Sequence, residues 1–142
     1  MINDLTTIRI GTKDDLSFIL DSWIKTAKYI YPNQYVLDFN KKYNEYLNVL
    51  IEKSTIIVSC IDNDPKDIVS YLVYSSFVGR FLVIHFAYTK VAARKEGIIS
   101  SLINFANPNN DPVVFTHAAK NENIMKVLCL KYIFDPSVLG EI

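Results

Sequence analysis

The sequence predicts one α/β domain spanning residues 1–142, and three observations predict it. Half of the 142 residues are hydrophobic and 13% are aromatic, which is enough for a sizeable core and too apolar for extended disorder. Apolar residues recur with two distinct spacings, a strand-like alternation or short β-branched run in some segments and a helical repeat in others. Taken in chain order, these segments read β-α-α-β-β-β-α-β-α-β.

Each element has a local reason. Thr6-Thr7-Ile8-Arg9-Ile10-Gly11 alternates polar and apolar residues, as a half-buried first strand does. Thr12 followed by Asp14 and Asp15 is a helix N-cap with acidic residues in the first turn, where the helix dipole favours them. Leu16, Ile19, Leu20, Trp23, Ile24 and Ala27 then form one apolar face, with Trp23 in the core. A second helix is expected from about Gln34 to Glu52, with Val36, Phe39, Tyr43, Leu47, Leu50 and Ile51 as its stripe and Tyr35 and Tyr46 widening it. Thr55–Ile61 and Ile68–Tyr74 are strands, and the Asp62–Asp67 segment between them has the composition of a turn, so they pair as a hairpin. Phe77–Arg80 reverses the chain again into the strand Phe81–Thr89. A helix from about Lys95 to Ala106 buries Ile98, Leu102 and Phe105 or Ala106, and Asn107–Pro112 ends it. A short strand at Val113–Thr116, a helix over Asn121–Lys131 and a strand at Tyr132–Phe134 complete the order.

The stretch from Val83 to Ile103 carries the chemistry. A buried strand passes through a basic turn containing one glycine and becomes an amphipathic helix. The first turn of such a helix has N–H donors without intrahelical partners, and the dipole adds positive charge there. An anion such as a phosphate is its natural ligand, and Lys90, Arg94 and Lys95 crowd the same turn. The run Arg94-Lys95-Glu96-Gly97-Ile98-Ile99 resembles motif A of the GNAT superfamily of acetyl-CoA-dependent N-acetyltransferases, which reads Arg or Gln, two residues, Gly, one residue, then Gly or Ala. Arg94 and Gly97 match, and Ile99 departs from the small third residue. The wording His85-Phe86-Ala87-Tyr88-Thr89-Lys90 before the turn is similar to small GNAT-like proteins encoded by bacteriophages.

The resemblance implies a mixed, mostly antiparallel sheet flanked by helices, with a short or missing last strand and a sheet edge that a homodimer would cover. It implies acetyl-CoA as cosubstrate and a primary amine as acceptor. Acyl-CoA would lie where the strand before the turn splays from its neighbour. Carried onto this chain, backbone groups of Lys95, Glu96, Gly97, Ile98, Ile99 and Ser100 would meet the pyrophosphate, and Arg94 would hold the turn or a phosphate. Thr89 stands where the backbone faces the thioester and pantetheine, and Asn121 near the pantetheine, where it equally suits the cap of the last helix. His85 lies near the family's general base, a role suited to an imidazole because only a neutral amine attacks a thioester. His117 is placed at the acceptor side. Cys129 aligns with the tyrosine that protonates the leaving thiolate, and Ile133 with a family glycine. The departures at Ile99, Cys129 and Ile133 leave a second reading open, a catalytically degenerate protein of this fold that binds a host or virion protein.

Charge and targeting narrow the partners. Fifteen basic residues against fifteen acidic ones argue against nucleic-acid binding by phosphate neutralisation. Two cysteines, Cys60 and Cys129, fit reduced thiols better than a disulfide framework, and no metal site is expected. Neither a signal peptide nor a membrane span is read from the sequence, so a cytoplasmic protein is expected, in the host cytoplasm if phage-encoded.

Overall fold

The computed structural model describes residues 5–30, 39–77, 79–94, 96–115 and 132–134. Its elements are β1 (Thr6–Ile10), α1 (Leu16–Ile30), α2 (Phe39–Glu52), β2 (Thr55–Ile61), β3 (Asp64–Phe77), β4 (Phe81–Thr89), α3 (Ile98–Ala106), β5 (Val113–Phe115) and β6 (Tyr132–Phe134). The described strands form one six-stranded sheet in the order β1-β2-β3-β4-β5-β6. The first four pair antiparallel and the last three parallel, so the sheet is mixed and mostly antiparallel as expected. The expected last helix, and any strand after β6, lie outside the described residues.

Two apolar layers cover the sheet. On one face Ile19 and Trp23 of α1 and Leu47 and Leu50 of α2 pack on Val58, Tyr71 and Val73. On the other, Ile98, Leu102, Ile103 and Ala106 of α3 pack on Leu72, Leu82 and Ile84. The helical spacing in the sequence produces both layers, because residues three and four apart share a face. Aromatic rings tie α1 to the sheet: Trp23 stacks on Phe86 at 4.8 Å, and Phe18 meets Tyr71 edge to face at 6.1 Å. The Tyr71 hydroxyl is buried and donates to the Ile19 carbonyl while sharing a hydrogen bond with Ser22 Oγ. Burial therefore raises its pKa above the ordinary tyrosine value.

The start of α1 is fixed by charge. Asp15 accepts the Thr12 backbone N–H at 2.7 Å, and both of its oxygens accept from the Arg9 guanidinium at 2.8 Å. The cap read from the sequence is present, with one turn of 3₁₀ helix (Lys13–Asp15) ahead of α1. The Arg9 hydrogen bond holds the Asp15 carboxyl below the usual aspartate range.

Several expectations are corrected. β3 begins at Asp64 and reaches Phe77, because the turn shrinks to Asp62 and Asn63, with Asn63 at φ 63°. The third helix starts at Ile98 rather than near Lys95, because Gly97 takes a left-handed conformation at its N-cap and a 3₁₀ turn (Val91–Ala93) intervenes after β4. Of the two alternatives expected at its end, Ala106 is the buried one and Phe105 is 53% exposed. Tyr46 sits on the solvent side of α2, so it does not widen the apolar stripe. The described α2 begins at Phe39, and Val36 and Tyr35 lie outside the described residues.

Candidate functional site

β4 does two things that place the site. It pairs with β3 along its whole length, from Phe77↔Phe81 to Ser70↔Thr89. Toward β5 it pairs only from Leu82 to Ile84. Beyond Ile84 no described strand pairs with that side of β4, and residues 116–131, which follow β5, lie outside the described residues. Backbone groups that no neighbouring strand takes are a template for another chain or an extended ligand.

The register between β3 and β4 shifts where Val73 opposes Phe86 and Tyr74 opposes Ile84. His85 is the extra residue, so it sits in a β-bulge, a distortion that re-aims a side chain. Its imidazole is 1% exposed, and Nε2 lies 3.0 Å from Ser75 Oγ. Ser75 is the residue that sequence reasoning missed. Only the pairing register brings it to His85, and a serine within a strand gives no signal of that.

The turn after β4 collects seven of the predicted residues. Arg94 donates from Nε to the Thr89 carbonyl at 3.0 Å, so it closes the turn onto the strand end. The Thr89 hydroxyl is buried against Ser70 Oγ at 2.9 Å. Gly97 adopts φ 76° and ψ 13°, a conformation that glycine takes without a Cβ penalty. Among the described residues, no atom lies within 4 Å of where a Gly97 Cβ would sit. At the start of α3 the Ser101 N–H donates to the Gly97 carbonyl at 3.1 Å. The N–H groups of Ile98, Ile99 and Ser100 precede it and have no intrahelical acceptor. The Ile99 side chain packs against the α3 layer of the core, so it leaves the outer side of the turn open. A Glu96 carboxylate oxygen, Oε2, is enclosed without a hydrogen bond to a described residue. Lys90 is engaged elsewhere, 3.2 Å from Asp67 and 5.6 Å above the Phe18 ring.

Thr89, Arg94, Glu96, Gly97, Ile98, Ile99 and Ser100 thus share one turn. His85 stands four residues back along β4, about 13 Å away at a strand's rise per residue. Lys95, His117, Asn121 and Cys129 lie outside the described residues. Cys60 is a buried free thiol whose pKa is raised by burial. Among the described residues no cluster of His, Cys, Asp and Glu has the makings of a metal site. No helix among them is long and apolar enough to cross a membrane.

No protein-family model matches the chain, and no curated protein matches it in sequence. Solved structures do match. A possible acetyltransferase from Clostridium difficile 630 superposes with a TM-score of 0.60 at 20% identity, covering 89% of this chain and 91% of that one. The chain has the GNAT acetyltransferase fold. A predicted acetyltransferase with acetyl-CoA from Clostridium acetobutylicum matches this GNAT fold with a TM-score of 0.54 at 18% identity, covering 86% and 87% of the two chains. An aminoglycoside acetyltransferase from an uncultured soil metagenomic sample, in complex with trehalose, gives 0.52 at 17% identity, covering 91% and 88%. At these identities the likeness is one of GNAT fold.

Proposed function

We propose that this protein is an N-acetyltransferase that moves acetyl from acetyl-CoA to a primary amine. The observation that carries the reading is the pairing of β4. Among the described residues its pairing with β5 stops at Ile84, and the strand leads through the Val91–Ala93 turn to a helix N-terminus whose outer side is open at Gly97. An extended acyl chain ending in phosphates fits that combination, with strand amides along the chain and helix donors at the anion.

In this reading the N–H groups of Ile98, Ile99 and Ser100 bind the pyrophosphate. Arg94 holds the turn against Thr89. Lys95 supplies a cation, and Asn121 steadies the pantetheine. Backbone N–H groups of β4 beyond Ile84 polarise the thioester carbonyl. The amine nitrogen forms the new bond to the acetyl carbon as the carbon–sulfur bond breaks. The amine gives up a proton and the departing thiolate takes one. His85, anchored at Nε2 by Ser75, accepts the first proton through water. Cys129 is the proposed donor of the second proton, and His117 the proposed acceptor-side residue.

The test is calorimetric titration with acetyl-CoA beside Gly97→Trp, whose indole would fill the open side of the turn. Micromolar binding that disappears in the variant supports the reading. Absence of binding at millimolar ligand overturns it.

A further inference from the structure

A cleft of about 370 Å³ opens between one edge of α1 and the end of β4, beside the turn that holds Arg94. Its apolar side is aromatic: the Phe18 and Tyr88 rings meet edge to face at 6.0 Å. The polar groups decide what it accepts. Ser22 Oγ bonds the Phe18 and Ile19 carbonyls and the Tyr71 hydroxyl, and Thr26 Oγ1 donates to the Ser22 carbonyl. Both hydroxyls therefore serve α1 and its packing. Arg94 directs Nε to Thr89, which leaves its two terminal nitrogens without a described partner. Asp21 and Lys25 stand one helical turn apart on the same edge of α1, and neither forms an ion pair or hydrogen bond with a described residue.

The uncommitted polar groups are thus two cations and one carboxylate around an aromatic wall. A ligand that complements them carries an acid group for Lys25 and Arg94 and a protonated nitrogen for Asp21. A polycation would meet two like charges for each opposite one, and like-charge juxtaposition works against a partner. Tyr88 lines the cleft and belongs to β4, so a ligand seated here reaches the strand where the acyl group is placed in the reading above. We propose that this cleft seats the acceptor and selects an amine that carries its own acid group, the amino-acid class, over polycations. This rests on the acetyl-transfer reading.

The experiment measures binding with CoA held at saturation, so that no turnover is needed. The probes are the twenty common amino acids, spermidine and kanamycin, titrated into the wild-type chain, Asp21→Asn, Lys25→Ala and Lys25→Glu. Both substituted positions are solvent-exposed, and circular dichroism checks that each variant is folded. The best amino acid is expected to bind at least about ten-fold more tightly than either polycation. Lys25→Ala and Asp21→Asn each weaken it by about ten-fold, and Lys25→Glu reverses the ranking in favour of spermidine. A polycation binding tightest to the wild type overturns the proposal, as does an amino acid unaffected by all three substitutions. Absence of any panel binding while CoA binds also overturns the proposal and leaves the acetyl-transfer reading standing. If CoA itself fails to bind, both fall.

Discussion

Gly97 offers a test in which conformational strain and steric blockage separate. The residue sits at φ 76°, and no described atom lies within 4 Å of the missing Cβ. A side chain there meets only the backbone penalty of the left-handed region, about 1 to 2 kcal/mol for an L-residue. Loss of glycine's freedom in the unfolded chain offsets part of this, by about 0.4 to 1 kcal/mol. Gly97→Ala is therefore expected to destabilise by about 1 kcal/mol, a fall in Tm of about 3 to 5 °C for a chain of this size. Gly97→Asn should lose less, because asparagine visits this conformation more readily. Gly97→Trp should match Gly97→Ala within about 0.5 kcal/mol, since the open side has room for either side chain. Urea unfolding followed by circular dichroism checks all three, with an unchanged m-value required for the comparison. Acetyl-CoA affinity then separates the pair: alanine retains most of it and tryptophan abolishes it. A loss above about 3 kcal/mol for alanine would refute the open-side geometry, because conformational strain alone does not reach that size. An alanine variant more stable than the wild type would refute the left-handed assignment.

Two further substitutions probe the polar contacts behind the site. Asp15→Asn leaves the Arg9 guanidinium without its carboxylate and should destabilise by about 2 to 3 kcal/mol at neutral pH, less than for a fully buried pair because Arg9 is partly exposed. The Asp15 carboxyl is held down mainly by the Arg9 hydrogen bond, so this stabilisation is present above the unfolded pKa and lost as pH falls through the folded one. The gap between variant and wild type should begin to narrow below about pH 4 and close as the pH falls through the lower folded pKa, and a gap that does not narrow on acidification contradicts the pairing. Ser75→Ala removes the hydroxyl from Nε2 of a buried imidazole and should cost about 1 to 2 kcal/mol. Its effect should shrink in a His85→Leu background, and additive effects of the two changes in a double-mutant cycle would show that the contact carries no energy.

The sequence made the elements legible wherever one period ran unbroken. Thr55–Ile61, Phe81–Thr89 and Tyr132–Phe134 are strands at the expected bounds, and Ile19 and Trp23 are buried as the spacing of α1 implies. The Thr12–Asp15 cap was legible because it is a local contact. Its partner Arg9 was not, since the bidentate pair depends on where β1 leads into the loop. The turn from Arg94 to Gly97 was readable as a strand-to-helix connection from its glycine. The direction of Ile99 was not, because a branched residue in the first helical turn can face either the core or the ligand. His85 was ambiguous for a physical reason: alternation cannot assign a face to a residue that occupies a bulge. Nothing in the sequence singles out Asp21 and Lys25, and only the neighbouring strand end gives them a cleft.

The bulge at His85 also changes the phase of β4. Leu82 and Ile84, even-numbered, belong to the α3 layer, and so does the odd-numbered Ala87, while Phe86 and Tyr88 join the α1 layer. The strand is two short strands of opposite parity joined by one residue. Deleting His85 would therefore remove an imidazole and little else of the packing. It would restore a single alternation in which Phe86 and Tyr88 keep the α1 face and Ala87 the α3 face, with the ladder to β3 continuous from Ile84 to Phe86. The two-sided packing of β4 does not need the inserted residue, so the bulge serves the side chain at position 85 itself.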